Sequence, residues 1–316
     1  MRTSLGFALT AFLAVGLAGA SQGAGGPSLR EDAGLTGIGT PTGFRYVAIG
    51  ERNRTLLARI SPRQRVVAAR FFAGRYTIAG VAYDGSATGL SADGKTLVLV
   101  RPRFAYPRAK TDFLIVSTPG LHVRDAVTLR GDFSLDAVSP DGSMLYFIQY
   151  LSPQDPTEYA VRAFDTKGGR LVPEPVVDKS EPGEEMRGNP ISRATSPDGR
   201  WAYTLYDGGG KAPFVHALDT VAVEAHCIDL AGLAGRDDLV TLRLRLRGGS
   251  VAVVNDRRPL LVLDRATLQV SKPETGSLSQ SGGSTPWGPI GAGAGALIAA
   301  GALSLTLLRR RRPAAT

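Results

Sequence analysis

The chain is short of the residues that form cross-links and of those that most often do chemistry. Its 316 residues include one cysteine, Cys227, so no intramolecular disulfide can form. Its three histidines are His122, His216 and His226. No Gly-x-Ser-x-Gly elbow, phosphate-cradling glycine loop or His-Glu-x-x-His pair occurs. Between Ser21 and Trp287 no long apolar stripe of 3.6 period runs, which excludes a helical bundle. "PGEEMRGN" and "LAGLAGRDD" allow a helical turn each at most. A domain of about 250 residues without cross-links is held by its own apolar core.

A long uncharged run lies near each end of the chain. "MRTSLGFALTAFLAVGLAGASQG" sets Arg2 before an apolar run, Leu5 to Leu17, and a small-x-small site, Ala18-Gly19-Ala20. This is the layout of a secretory signal peptide cut near Ala20. Trp287 to Leu308 is 22 residues without a charge, and a bilayer core takes roughly 20. Arg309, Arg310, Arg311 and Arg312 follow at once, as basic residues do on the cytoplasmic side of a span. The sequence therefore divides into a signal peptide (1–20), a linker or outer strand of the first repeat (21–39), a repeat domain (40–272), a flexible linker (273–286), a single span (287–308) and a cytoplasmic basic tail (309–316). Gly291, Gly295 and Ala299 put small residues on one face of the span, a pattern that permits a weak homodimer through it.

This topology explains the basic pI of 9.9. Of 37 Lys and Arg, five (Arg2 and the four of the tail) lie outside the exported part, whereas all 28 Asp and Glu lie within it. The exported part carries 32 positive and 28 negative groups, a net +4, and nucleic-acid binding is not indicated.

What the chain has in quantity is turns. "SADGKTLVLV", "SPDGSMLYFIQY" and "SPDGRWAYTLY" each join a four-residue turn to a strand rich in branched and aromatic residues. Proline presets the first corner, Asp caps nearby backbone N–H groups and Gly takes positive φ. "TPTGFRYVAIG" and "LRGGSVAVVN" are weaker copies. The residue before the turn glycine is Thr42, Asp93, Asp141, Asp198 and Arg247, at intervals of 51, 48, 57 and 49. A second hairpin follows each, marked by Ser61, Ser117, Asp165, Asp219 and Asp264, at intervals of 56, 48, 54 and 45. Two hairpins per repeat of about 50 residues predict an all-β protein, a β-propeller of about five four-stranded blades. A two-sheet sandwich would not need one turn reused at a fixed period.

"SPDGSMLYFIQY…VRAFDT" and "SPDGRWAYTLYDGG…VHALDT" resemble the repeats of bacterial YVTN and TolB-like propellers at the cell surface and in the periplasm. The resemblance spans roughly Thr40 to Lys272. It implies the fold and leaves function open, because such repeats serve lactonases, adaptors and surface proteins alike.

The candidate site residues are few. Asp93, Gly94, Asp141, Gly142, Asp198 and Gly199 read as structural turn residues. Arg243, Arg245 and Arg247 alternate with leucines along one strand face and form a candidate anion-binding stripe, for instance for a cell-wall polymer. His226 and Cys227 are adjacent and point to opposite strand faces, so with His216 they make a poor metal set, and Cys227 reads as a small buried apolar residue. Glu181, Glu184 and Glu185 lie in an acidic loop without calcium-loop spacing. "KPETG" (Lys272 to Gly276) resembles a sortase signal with Lys272 where leucine belongs. No catalytic residue, metal site or cofactor is expected. The expectation is a membrane-anchored, surface-exposed binding module whose partner is a protein or cell-wall ligand. A lactonase-like hydrolase, and a structural envelope protein anchored or released by sortase, are the alternatives.

Overall fold

The computed structural model describes residues 32–181 and 186–273, within a compact unit that ends at Pro273. The signal segment, Glu184 and Glu185, the Glu274 to Gly276 part of the sortase-like motif, the span with Gly291, Gly295 and Ala299, and the four-arginine tail lie outside these residues.

The described chain is all-β, and its strands form five antiparallel sheets, each from contiguous sequence. Blade 1 holds β1 (Ile38–Gly39), β2 (Arg45–Glu51), β3 (Arg54–Ile60) and β4 (Val66–Ala73). Blade 2 holds β5 (Thr77–Gly80), β6 (Ala87–Thr88), β7 (Thr96–Val100), β8 (Lys110–Ser117) and β9 (His122–Arg130). Blade 3 comprises β10 (Phe133–Val138), β11 (Met144–Tyr150), β12 (Tyr159–Asp165) and β13 (Arg170–Leu171). Blade 4 comprises β14 (Pro190–Thr195), β15 (Trp201–Tyr206), β16 (Phe214–Asp219) and β17 (Glu224–Asp229), and blade 5 β18 (Leu242–Arg247), β19 (Ser250–Asn255), β20 (Arg258–Asp264) and β21 (Val270–Ser271). These are the blades of a five-bladed β-propeller.

Packing between blades accounts for the lack of strict polar–apolar alternation. Strands β7, β10 and β16 are buried along their whole length, because both faces of an inner blade meet a neighbour. Four apolar clusters fill the contacts between consecutive blades, such as Phe113, Phe133, Phe147 and Phe164 between blades 2 and 3, and Tyr203, Val215, Leu244 and Val253 between blades 4 and 5. Burying a Leu or Phe side chain contributes about 1.5–3 kcal/mol, which is what replaces disulfides here.

Two expectations are corrected. Blade 2 has five strands, because a hairpin at Val81–Ser86 interrupts its innermost strand: β5 pairs with both β6 and β7, and the edge resumes at a Leu90–Leu97 bridge. Ile38–Gly39 is also not an outer strand of the first repeat. It precedes the turn, pairs with β2 and lines the propeller axis.

Candidate functional site

The propeller has two rims of different construction. The turn rim carries two turns of every blade: the one that ends in the turn glycine and leads out of the innermost strand (the A–B turn), and the one that leads into the outermost strand (the C–D turn). In blade 3, Ser139 Oγ donates to Asp141 Oδ1 (2.9 Å), which also accepts from the Ser143 N–H (3.0 Å), while Met144 N–H donates to Ser139 Oγ (2.9 Å). Ser91, Asp93, Lys95 and Thr96 repeat this set in blade 2, and Ser196, Asp198, Arg200 and Trp201 in blade 4. These hydrogen bonds hold the carboxyls of Asp141 and Asp198 below the usual carboxylate range. Gly94, Gly142 and Gly199 sit at φ of 69°, 74° and 73°, where a side chain is strained.

The recurring threonine after the third strand has a separate job. Thr118, Thr166 and Thr220 each donate the hydroxyl to the carbonyl of Gly94, Gly142 or Gly199, tying the C–D turn to the A–B turn. Blade 5 has Arg265 at this place, and its Nη1 donates to the Gly248 carbonyl at 3.3 Å. Blade 1 has Pro62, which instead lies against Gly43.

The loop rim is uneven. Blades 1 and 5 turn there with two residues, Arg52–Asn53 and Asp256–Arg257, whereas blades 2, 3 and 4 carry loops 101–109, 151–158 and 207–213. The first is built around Asp132, whose side chain is buried. Arg103 forks onto it through Nε (3.0 Å) and Nη2 (2.6 Å), and Arg108 approaches through its backbone N–H (3.0 Å) and Nε (3.1 Å). Arg103 also lies 4.9 Å over the Tyr150 ring, and Tyr106 packs edge-on against Tyr150 while its hydroxyl donates to the Ser152 carbonyl. Phe104 is left 70% exposed, with the Arg75 guanidinium 5.0 Å above it. Arg187 bonds Asp155 (3.1 Å), and Asn189 bonds Asp207 through both its backbone N–H and its amide (2.7 and 2.9 Å), so the three loops are linked.

The axis between the rims is blocked. The blade 2 hairpin crosses to blade 4: Tyr83 and Asp84 N–H groups donate to the carbonyls of Pro190 and Ile191, and Ser192 Oγ donates to Asp84. Asp136 occupies a bulge in β10, the device that turns its carboxylate toward the axis, where Arg193 Nη2 donates to it. Both side chains are almost fully buried, and Asp136 Oδ2 and Arg193 Nε have no hydrogen-bond partner. On the turn-rim side of this pair lies a cavity of about 350 Å³, lined by Ile38, Leu90, Ala92, Val138, Arg193 and Thr220 among others. On the loop-rim side a cavity of about 30 Å³ lies under Tyr150, Tyr159, Asn189 and Tyr206. His216 is buried between blades 3 and 4 beside Tyr206, and its burial holds its pKa at about 4, so it is neutral.

The residues singled out in the sequence fall in scattered places. Arg243, Arg245 and Arg247 do share one face of β18, opposite Leu242 and Leu244, which are buried. Arg243 is partly spent on the Val240 and Leu242 carbonyls, while Arg245 and Arg247 are exposed. His216 pairs with Cys227 across β16 and β17 and is fully buried, away from His226, which stacks on Trp201. Cys227 is half-buried, not fully buried, because β17 is an outer strand; its N–H donates to Asp178 (2.9 Å). Glu181 is exposed in the loop after β13. Among the described residues no group of three His, Cys, Asp or Glu is placed to hold a metal, and no helix is long and apolar enough to cross a membrane. Missed by sequence reasoning were Asp132, Asp136, Arg193 and the aromatic loop 101–109. Their only trace was the stretched repeat intervals, 56 across "RPRFAYPRA" and 57 across blade 3.

No protein-family model and no curated protein matches the chain. Among solved structures it is similar to hydrazine synthase of Kuenenia stuttgartiensis (17% identity, TM-score 0.43, 75% of this chain and 70% of that one). It is similar to a protein of the TolB type from Agrobacterium tumefaciens (15%, 0.40, 77% and 80%) and to the β-propeller domain of Cps50 (Swd1) from Myceliophteria thermophila (12%, 0.40, 76% and 65%). The fold assignment rests on the five sheets themselves.

Proposed function

We propose that this chain is an exported, membrane-anchored binding module that meets its partner with the loop rim of blades 2, 3 and 4. One observation carries the reading: blades 2, 3 and 4 carry loops 101–109, 151–158 and 207–213 where blades 1 and 5 turn with two residues, the long connections 172–189 and 230–241 that leave blades 3 and 4 join the same rim, and the buried Asp132 with Arg103 and Arg108 anchors the first loop. Exposed aromatic and arginine side chains on a preorganised surface are the composition of a recognition site. Phe104 with Arg75 and Arg101 supplies this on blade 2. Anchoring and export rest on the signal-like N-terminus, the uncharged Trp287 to Leu308 and the arginines after it.

We take a binding role over catalysis. The axial polar groups Asp136 and Arg193 are buried, pair with each other and face cavities on opposite sides, while His216 lies away from both cavities between blades 3 and 4, which does not assemble a nucleophile with its base. The test is photo-crosslinking in intact cells from a probe placed at Phe104 and, separately, at Gly94 on the turn rim. Adducts are expected from position 104 and not from 94. Adducts only from 94, or equal adducts from both, would overturn the reading. Protease added to intact cells is expected to degrade the propeller; protection of the propeller with loss of the tail would reverse the topology.

A further inference from the structure

We infer that the outer edge of blade 1 is a docking surface for an anionic lipid bilayer. Residues 32–75 hold eight arginines and no lysine, against two acids, Asp32 and Glu51. Among the described residues only Arg54 of these eight has an ion-pair partner, Glu51. Arg52, Arg54, Arg63, Arg65 and Arg70 are all exposed. The described residues hold 31 Lys and Arg against 24 Asp and Glu, a net +7, of which residues 32–75 carry +6, so the rest is close to balanced.

The same edge is apolar in a way the other outer strands are not. Strand β4 exposes Val66 (60%), Val67 (53%) and Phe71 (45%), with Arg70 inside the strand and Arg63 and Arg65 in the turn that leads into it. The Arg54 guanidinium sits 4.2 Å over the Phe71 ring. By contrast β9 mixes Arg124 and Arg130 with Asp125, and β17 carries Glu224 and Asp229. An exposed edge strand is normally protected by charge of mixed sign or by proline. Here protection is by one sign only, and large apolar groups remain between the charges.

That combination selects among partners. An anionic polymer would pair with the arginines and leave Val66, Val67 and Phe71 in water. An acidic protein would be a second class of partner, which dependence on protein concentration and lipid charge separates from a bilayer. An anionic bilayer answers both features: headgroup phosphates pair with the guanidinium groups, and the shallow apolar layer takes valine and phenylalanine side chains. This inference rests on the membrane-anchored reading above and extends it, since a tethered propeller is held at the bilayer surface.

The experiment uses the full chain with Cys227→Ser, carrying an environment-sensitive fluorophore at Val67→Cys or, as control, at Val221→Cys. The protein is reconstituted with vesicles of phosphatidylcholine alone or of an equal mixture with phosphatidylglycerol, and the vesicles are floated. Expected is flotation with both, and a blue shift with quenching by spin-labelled lipid at position 67 only in the mixed vesicles. That signal should be lost in Arg63→Glu, Arg65→Glu, Arg70→Glu, and position 221 should stay aqueous throughout. A label at 67 that stays aqueous in floated mixed vesicles overturns the docking surface while leaving the anchor intact. A shift that appears in neutral vesicles and grows with protein concentration also overturns it, in favour of a protein partner. Flotation with mixed vesicles alone, with position 67 buried, supports the surface and removes the span. Flotation with neither overturns both.

Discussion

The turn rim and the loop rim are made from the same strands, yet they are built on opposite plans. On the turn rim, three blades repeat one set of hydrogen bonds, each spanning two to five residues, and one threonine tie per blade. On the loop rim one contact repeats, in blades 1 and 2 alone, where Thr55 and Thr111 donate to the Gly74 and Gly131 carbonyls and accept from the Tyr76 and Phe133 N–H groups. The contacts that hold the three long loops do not recur, and their partners lie far apart in sequence: Arg103 with Asp132, Arg187 with Asp155, Asn189 with Asp207. Chemistry that recurs in every blade serves the fold. Chemistry that occurs once, on a rim where two blades manage with a two-residue turn, is where function is to be sought.

The largest effect on this contrast comes from its buried anchor. Asp132→Ala leaves Arg103 and Arg108 beside each other without their carboxylate, and breaking a buried pair of this kind costs about 3–5 kcal/mol. The expected outcome is a lower melting temperature together with fast amide exchange in 101–109, and unchanged exchange in the turn-rim strands β7 and β11. Uniform loss of protection would mean that the rims are not independent.

Glycine substitution sharpens the other side. A Cβ on Gly142 would lie 2.5 Å from Thr96 Oγ1, whereas one on Gly94 meets nothing within 4 Å. Both residues have positive φ, so Gly94→Ala reports backbone strain alone, about 1 kcal/mol, and Gly142→Ala adds overpacking to reach about 3 kcal/mol. Equal costs in thermal or urea unfolding would show that neighbouring turns do not touch in solution.

A pH series separates the blade contacts from both rims. His216 has a folded pKa of about 4 because burial disfavours its charged form. The unfolded chain therefore binds this proton first as pH falls. Stability is unaffected by His216 above about pH 6.5 and declines below it, by about 2 kcal/mol at pH 5. His216→Leu is expected to flatten the melting temperature between pH 6.5 and 5 relative to wild type. A parallel profile for the two would place the loss elsewhere.

The contrast also explains what could be read from the chain. Ser-Pro-Asp-Gly and the Asp-Thr that follows it act within a few residues, so the local code states the hairpins, their number and their order. Even the degenerate Thr40-Pro41-Thr42-Gly43 folds as its pattern says, with Thr40 Oγ1 taking the place of serine and bonding Thr42 and the Phe44 N–H. The loop rim and the axis have no such code. Asp136 meets Arg193 across 57 positions, and Ser192 meets Asp84 across 108, through strands whose juxtaposition follows only from closing blades around an axis. The blade 2 hairpin did have a local sign, Asp84-Gly85, but its crossing to blade 4 did not.

The smallest effect tests whether the threonine tie belongs to the fold plan at all. Thr220 is buried, and its hydroxyl reaches both the Gly199 carbonyl (3.0 Å) and the Arg200 carbonyl (2.9 Å), while its N–H holds the Arg200 carbonyl as well. Thr220→Val keeps the shape and the N–H bond and removes only the hydroxyl donor, a loss of about 1 kcal/mol for a hydrogen bond of this type. Thr118→Val and Thr166→Val should each cost a similar amount or less, Thr166 least, because its contact with Ser143 is exposed. In blade 5 the equivalent donor is a longer, exposed guanidinium contact, so Arg265→Ala should cost still less. A ranking of Thr220, Thr118, Thr166 and Arg265 in urea midpoints would follow burial of one repeated interaction. If Arg265→Ala proved the most damaging instead, the tie would be local to blade 5, and the turn rim would lose its claim to a single repeated design.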